Sequence, residues 1–162
     1  MISAPKAKQG LSNIFIEKNL YKVTKKFKGV FSSDNIPNKL QNLNDFSIIC
    51  NLSKENEIGT HFITILVKDK EIFILDSLGD TSIFGDVTPI NKFLKKVMNR
   101  RTLYRNSQQL QSLTSQYCGF YCIYFVLLFE KNSLPKFQIF SKTNLRKNDS
   151  IVIKEIKKLL KK

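Results

Sequence analysis

Residues 118–129 constrain the fold most strongly, because this stretch, CGFYCIYFVLLF, is apolar nearly all round. A helix without a polar face lies in the centre of a domain. The stretch is also too short to cross a bilayer. The residues before it, 107–117, are polar and irregular. The pattern therefore predicts a buried helix that begins at Cys118, where an outer loop enters the core.

Alternating and β-branched runs predict a hairpin of strands earlier in the chain. Residues 60–67 form one such run and residues 71–76 form its antiparallel partner, joined by a short turn. A further strand is predicted at residues 46–50. The hairpin pairing brings His61, at the start of one strand, towards Asp76, at the end of the other.

Helical patterns surround these strands, so the chain is predicted to be an α+β protein with helices and strands intermixed. No repeat or linker divides it, and we expect a single domain over residues 1–162, with residues 1–10 as a loose arm. Lys25, Lys26, Lys28 and Gly29 interrupt the pattern after the first helix. The remaining predicted elements are a helix in residues 11–23, a helix from Thr88-Pro89 to Val97, a strand at residues 102–104 and a terminal helix capped by Asp149 or Ser150.

The chain is strongly basic, with 27 Lys and Arg against 13 Asp and Glu in 162 residues and a net charge of +14. Its hydrophobic content of 42% excludes a disordered basic tail. Excess lysine favours non-specific attraction to phosphate or to acidic surfaces. The basic residues form two clusters, arginines at residues 100–105 and lysines at residues 154–162. For each cluster an ordinary solvated surface is the alternative to a DNA contact, and neither cluster matches a DNA-binding motif. The candidate DNA contacts are Arg100, Arg101, Arg105, Lys154, Lys158 and Lys161.

Cysteine and histidine are scarce. Three cysteines are too few for a disulfide-dense secreted scaffold, so we expect a reducing compartment and no secretion. The start of the chain also lacks the apolar run of a signal peptide. A single histidine excludes metal sites that need two. Zinc on Cys50, His61, Cys118 and Cys122 is disfavoured because structural zinc usually takes closely spaced ligand pairs, so we expect no metal.

Cys118 is the candidate nucleophile. A cysteine attacks as the thiolate, which a helix N-terminus and an imidazolium both stabilise through positive potential. Cys118 lies at the predicted helix start, and Gly119 leaves the approach of a substrate open. His61 is the candidate base, and Asp76 could orient its imidazole. Cys122, one turn further into the helix, is predicted to be an ordinary core cysteine.

Acyl transfer also needs a donor for the developing oxyanion. The polar loop before Cys118 offers Gln108, Gln109, Gln111 and Gln116. Spacing alone does not choose among them.

The ordered segments GTHF at residues 59–62, ILDSLG at 74–79 and QSLTSQYCGFYC at 111–122 resemble the adenovirus proteases and the wider clan of ubiquitin-like-protein-specific proteases. The resemblance runs from about residue 20 to residue 130. It implies a papain-like core with a mixed central sheet packed against the helix that starts at the catalytic cysteine. By the family's order and spacing, His61 is the base, Asp76 its orienting acid, Gln111 the oxyanion donor and Cys118 the nucleophile.

The resemblance also implies a biological role. It points to a monomeric cysteine endopeptidase that matures the virion of a virophage or a related DNA virus, cutting capsid or core precursors near small residues such as glycine pairs. The enzyme would act in the virion and in the host-cell cytoplasm or nucleus. It would not bind a membrane. DNA or a non-covalent peptide could activate it, with no cofactor needed for the chemistry.

Two departures from the family are visible. Phe62 stands where the family usually has tryptophan, and no cysteine for a disulfide-linked activating peptide lies between Asp76 and Gln111. Two alternatives remain: a ubiquitin- or SUMO-like deconjugating protease, and a basic nucleic-acid-binding module without catalysis.

Overall fold

The computed structural model describes residues 10–79, 88–99 and 101–161, and they form an α+β fold around one five-stranded sheet. The strands lie side by side in chain order. The middle three are antiparallel, and the two outer strands run parallel to their neighbours. The strands are β1 (Phe27–Ser32), β2 (Asp45–Asn51), β3 (Phe62–Lys68), β4 (Glu71–Leu75) and β5 (Thr102–Arg105).

Four α-helices cover the two faces of this sheet within the described ranges. They are α1 (Asn13–Leu20), α2 (Thr88–Val97), α3 (Cys118–Glu130) and α4 (Leu145–Leu160), with short 3-10 turns at Asn38–Asn42 and Phe137–Ile139. Helix α3 is buried from Gly119 to Phe129 and packs between the sheet and α4. The central, all-apolar helix predicted from the sequence is confirmed.

Alternation along β3 explains why helices are needed on both faces of the sheet. Phe62 and Leu66 face the core formed with α1, α3 and α4. The intervening Ile63 and Ile65 face a second core formed with α2. Because both faces of β3 are buried, apolar side chains are favoured on each of them. The sequence of β3 is therefore nearly continuously apolar.

Strand β1 is not among the elements predicted from the sequence, in which Lys25, Lys26, Lys28 and Gly29 indicate a break in the pattern. Gly29 has φ +136°, and the register with β2 shifts between Phe27 and Val30. This irregularity interrupts the alternation of buried residues by which a strand is recognised.

The predicted cap of the terminal helix was also wrong. Helix α4 begins at Leu145, and the Asn144 side chain accepts a hydrogen bond from Lys147 N at 3.2 Å. Asp149 is a residue of the helix interior that reaches towards the loop before α3. Its polarity therefore reflects a tertiary contact, which a local pattern does not reveal.

Residues 1–9 of the predicted arm lie outside the described residues, and so does Arg100. No helix in the described ranges is both long and apolar enough to span a membrane.

Candidate active site

The β3–β4 hairpin brings His61 and Asp76 into contact. His61 precedes β3, Asp76 follows β4, and the antiparallel register places both at one end of the sheet. His61 Nε2 donates to Asp76 Oδ1 at 2.7 Å. The imidazole is only 3% exposed. The predicted pairing of these two side chains therefore exists, in a site shielded from solvent.

Asp76 is fixed by several hydrogen bonds besides the one to His61. Its Oδ1 also accepts from Leu78 N at 2.8 Å. Asn106, directly after β5, accepts from Asp76 N at 2.8 Å and donates through Nδ2 to Asp76 O at 2.7 Å. Because β4 and β5 are parallel neighbours, Asn106 meets Asp76 at the same sheet edge.

Cys118 is the first residue of α3 and is half-buried. Its side chain is hydrogen-bonded to His61. Since Nε2 of the imidazole is engaged by Asp76, the second ring nitrogen, Nδ1, is the one left for the sulfur. The three side chains thus form a chain of contacts from carboxylate to imidazole to thiol, at the positive end of a helix dipole.

This environment changes the protonation of His61. Burial lowers the pKa of His61, but the hydrogen bonds to Asp76 and Cys118, with the charge interactions with both residues, outweigh it and raise the pKa to about 9. The imidazolium form is therefore favoured at neutral pH. Such a cation beside the sulfur is what a thiolate nucleophile requires.

Gln111 lies in the same site, and its side-chain amide is bonded at both ends. Ser77 Oγ donates to Gln111 Oε1 at 2.6 Å, and Gln111 Nε2 donates to Ser115 O at 2.7 Å. Gln111 is 2% exposed. Of the four glutamines that the loop offered, Gln111 and Gln116 line the cleft described next.

A cleft of about 710 Å³ opens over these side chains. His61, Gln111 and Cys118 line it together. One side is formed by residues 10–14 ahead of and within α1, and another by residues of the β2–β3 loop. Phe62, at the family's tryptophan position, also lines the cleft and is 8% exposed.

The other cysteines differ from Cys118. Cys50 and Cys122 are buried, and burial raises the pKa of Cys50 to about 12 and that of Cys122 well above its ordinary value. Cys122 is a core residue, as predicted. No cluster of metal-ligating side chains occurs among the described residues.

The expectation for Gly119 was wrong. A Cβ on Gly119 would lie 3.0 Å from Leu11 Cβ and 3.3 Å from Ile16 Cδ1. The glycine therefore permits close packing of α3 against α1 and the segment before it. It does not keep a path open for substrate.

The candidate DNA contacts are placed differently from one another. Arg101 donates to the carbonyl oxygens of Asp69, Val97 and Leu43 and to Asn44 Oδ1, which commits its guanidinium to holding loops together. Arg105 is exposed. Three exposed lysines fall at helical spacing at the end of α4, namely Lys154 and Lys158 on the helix and Lys161 directly after it. Glu155 pairs with Lys158.

Four residues that hold the site are not predicted as such from the sequence, namely Asn106, Ser77, Ser115 and Asp149. A signal existed for two of them. Ser77 directly follows Asp76, and Asn106 directly follows the strand beside β4, so both fall where neighbouring strands end. Ser77 is 2% exposed, and its hydroxyl donates a hydrogen bond to Gln111 Oε1.

Comparison with known proteins points to viral proteases. The protease of ovine adenovirus D serotype 7 (isolate OAV287) is 29% identical over 130 residues, an alignment that covers 73% of this chain and 64% of that protease. The chain thus spans less than two thirds of that relative's length. No model of a known protein family matches the chain.

Two solved structures share the fold. The crystal structure of the ASFV pS273R protease matches with a TM-score of 0.52 and 15% identity, over 85% of this chain and 61% of that one. The central domain of the uncharacterized Lpg1148 protein from Legionella pneumophila matches with a TM-score of 0.56 and 9% identity, over 96% of this chain and 100% of that one.

The chain therefore has the α+β, papain-like fold of a viral protease, with a mixed sheet packed against the helix that begins at Cys118. The resemblance to the adenovirus protease family, first seen in the motifs around His61, Asp76 and Cys118, is confirmed by the ovine adenovirus relative and by this shared fold.

Proposed function

We propose that the chain is a cysteine endopeptidase with Cys118 as nucleophile, His61 as proton donor and base, Asp76 as the residue that orients His61, and Gln111 as oxyanion donor. The observation that carries the proposal is the contact chain from Asp76 through His61 to Cys118, in a cleft that Gln111 also lines.

The chemistry follows from these contacts. The Cys118 thiolate attacks the scissile carbonyl carbon, a C–S bond forms, and the carbonyl oxygen becomes negative. An Nε2 hydrogen of Gln111 stabilises that charge, as does the backbone N–H of Cys118. His61 protonates the amine as the C–N bond breaks, and the first product leaves. His61 then takes a proton from water, which attacks the thioester and frees the thiol.

The substrates that we propose are viral capsid or core precursors cut near small, glycine-rich sites, during virion maturation in an infected cell. The likeness to an adenovirus protease supports this substrate class. We further propose that the enzyme acts as a monomer and that DNA acts as a track or activator, without a metal or an organic cofactor. The net charge of +14 and the exposed lysines of α4 support the DNA role.

The decisive experiment incubates the purified chain with capsid precursors encoded by the same genome and maps the cut sites by mass spectrometry. Cys118→Ala should abolish cleavage, whereas Cys122→Ala should retain most of it because Cys122 is buried away from the cleft. Cleavage that survives in Cys118→Ala would refute the mechanism.

DNA activation is tested separately. Duplex DNA should stimulate cleavage by the wild type, and the stimulation should weaken as salt rises because each lysine bound to phosphate releases a counterion. Replacing Lys154, Lys158 and Lys161 together by glutamine should reduce the slope of log affinity against log salt by about 2 to 3. An unchanged slope would remove α4 from the DNA surface.

A further inference from the structure

Ser77 touches Gln111 through both its main chain and its side chain. The carbonyl oxygen of Ser77 accepts from Leu110 N at 2.8 Å and from Gln111 N at 2.9 Å. Its hydroxyl donates to Gln111 Oε1 at 2.6 Å. Ser77 and Gln111 are each 2% exposed, so water has little access to replace these bonds.

The direction of these bonds selects one orientation of the Gln111 amide. The amide has an acceptor end and a donor end of nearly equal shape. Ser77 supplies a hydroxyl proton to Oε1, while Ser115 O accepts one of the two Nε2 hydrogens. Turning the amide by 180° would place Oε1 against Ser115 O and deprive the Ser77 proton of its acceptor. The second Nε2 hydrogen remains to face a negative oxygen in the cleft.

Ser77 also follows Asp76 directly in the chain. Asp76 accepts the hydrogen bond from His61, and the carbonyl oxygen of Ser77 accepts hydrogen bonds from the backbone of the loop that carries Gln111. The dipeptide at the end of β4 therefore connects the group that handles the proton to the group that meets the oxyanion.

We propose that Ser77 is a positioning residue whose hydroxyl fixes the Gln111 amide with Nε2 directed at the oxyanion. The inference rests on the proposed protease function and deepens it. It predicts that loss of the hydroxyl impairs reactions in which an oxyanion develops and spares those in which none does.

Two small reagents separate these reactions on the same sulfur. p-Nitrophenyl acetate acylates Cys118: the thiolate attacks the ester carbonyl, the C–O bond breaks through an oxyanionic intermediate, and p-nitrophenolate leaves. Iodoacetamide alkylates Cys118: the thiolate displaces iodide from carbon, and no oxyanion forms. The ratio of the two rates therefore reports on the oxyanion donor, independently of how reactive the thiol is.

Ser77→Ala should slow acylation about tenfold and change alkylation less than twofold, since complete loss of an oxyanion donor costs about 10²- to 10³-fold. In a Gln111→Ala background the same substitution should change acylation less than twofold. Ser33→Ala is the matched control, because Ser33 is a buried serine whose hydroxyl bonds to no described residue. It should leave both rates unchanged.

Several outcomes would overturn the inference. Equal slowing of acylation and alkylation in Ser77→Ala would show a general structural role. The same conclusion would follow if Ser77→Ala slowed acylation equally in the wild-type and Gln111→Ala backgrounds. If Ser77→Ala does not fold, Ser77→Cys keeps a weak donor of similar size, and acylation of its Cys118, read by peptide mass spectrometry, must be slower than in the wild type by less than tenfold while alkylation of Cys118 is unchanged. If Cys118 of the wild type is neither acylated nor alkylated faster than a free thiol, the proposed function itself fails. Acylation of the wild type with no effect of Ser77→Ala refutes only the role of Ser77.

Discussion

His61 Nε2 lies 2.7 Å from Asp76 Oδ1, and His61 is the one histidine in the sequence. A single imidazole resonance therefore reports on this site alone when the protein carries no histidine tag. Its NMR titration should have a midpoint near pH 9. Asp76→Asn and Cys118→Ala should each lower the pKa of His61, because each removes a hydrogen bond that raises it. Asp45→Asn, which alters a carboxylate paired with Lys26, should leave the midpoint in place. A wild-type midpoint near 6.5 would contradict the geometry.

The same shift makes stability depend on pH. The pKa of His61 is higher in the folded chain, about 9, than its ordinary value of 6.5. Protonation therefore favours the folded state, and this stabilisation is complete below about pH 6.5 and lost as pH rises through about 9. Urea unfolding should show a loss of up to about 3 kcal/mol across this range. His61→Gln should lack that part of the pH dependence, and an identical pH profile in the variant would refute it.

The three thiols should react at very different rates. Cys118 is half-buried in the cleft, whereas Cys50 and Cys122 are buried and have pKa values raised by burial. Brief treatment with iodoacetamide at pH 7 should therefore modify Cys118 alone, as read by peptide mass spectrometry. Cys118→Ser should abolish rapid labelling, and Cys122→Ala should preserve it. Rapid modification of Cys122 in the native protein would contradict the assignment.

The candidate site residues and most elements could be predicted from the sequence because their signals are local or ordered along the chain. The uniform apolarity of α3 predicted its burial, and the hairpin pattern of β3 and β4 predicted that His61 lies near Asp76. Gln111 needed the family resemblance, since three other glutamines share its loop.

The remaining features depend on contacts between distant segments. The bulged strand β1 shows no clean alternation, because Gly29 adopts a positive φ within it. Asp149 is a residue type typical of helix N-caps, yet its carboxylate accepts a hydrogen bond from Ser115, 34 residues earlier in the chain. Arg101 is a residue type typical of phosphate contacts, but in this fold its guanidinium donates to three backbone carbonyl oxygens. No local pattern separates these roles.

Asp149 should stabilise the loop that carries Gln111. Its Oδ2 accepts from Ser115 Oγ at 2.8 Å and its Oδ1 from Tyr121 Oη at 3.1 Å. Asp149→Ala removes the acceptor of Ser115 Oγ and leaves Tyr121 Oη only Leu110 O at 3.3 Å, so the free energy of unfolding should fall by about 1–3 kcal/mol. Asp149→Asn keeps an acceptor and removes a charge that burial disfavours, since burial raises the pKa of Asp149. It should therefore cost less than the alanine. Chemical denaturation compares the variants, and a larger loss in Asp149→Asn would contradict this role.

Gly79 should be irreplaceable in the turn that follows Asp76. Its φ is +59°, and its N–H donates to Asp76 O at 3.0 Å. A Cβ there would collide with Ser107 O and lie 2.8 Å from Gln108 C, which are backbone atoms that cannot rotate away. Gly79→Ala should lower the free energy of unfolding by about 1–3 kcal/mol, measured by denaturant titration.

Activity should fall further than this stability loss accounts for, because moving residues 107–108 also disturbs Asn106, which holds the Asp76 backbone. Gly79→Asn tests the cause. Asparagine tolerates a positive φ but carries the same Cβ, so it should not rescue the alanine variant. Gly10→Ala is the matched control for the stability measurement, since its Cβ would meet Gln116 O only at 3.6 Å. Full activity in Gly79→Asn would show that backbone strain alone, rather than the collision with Ser107, explains the need for glycine.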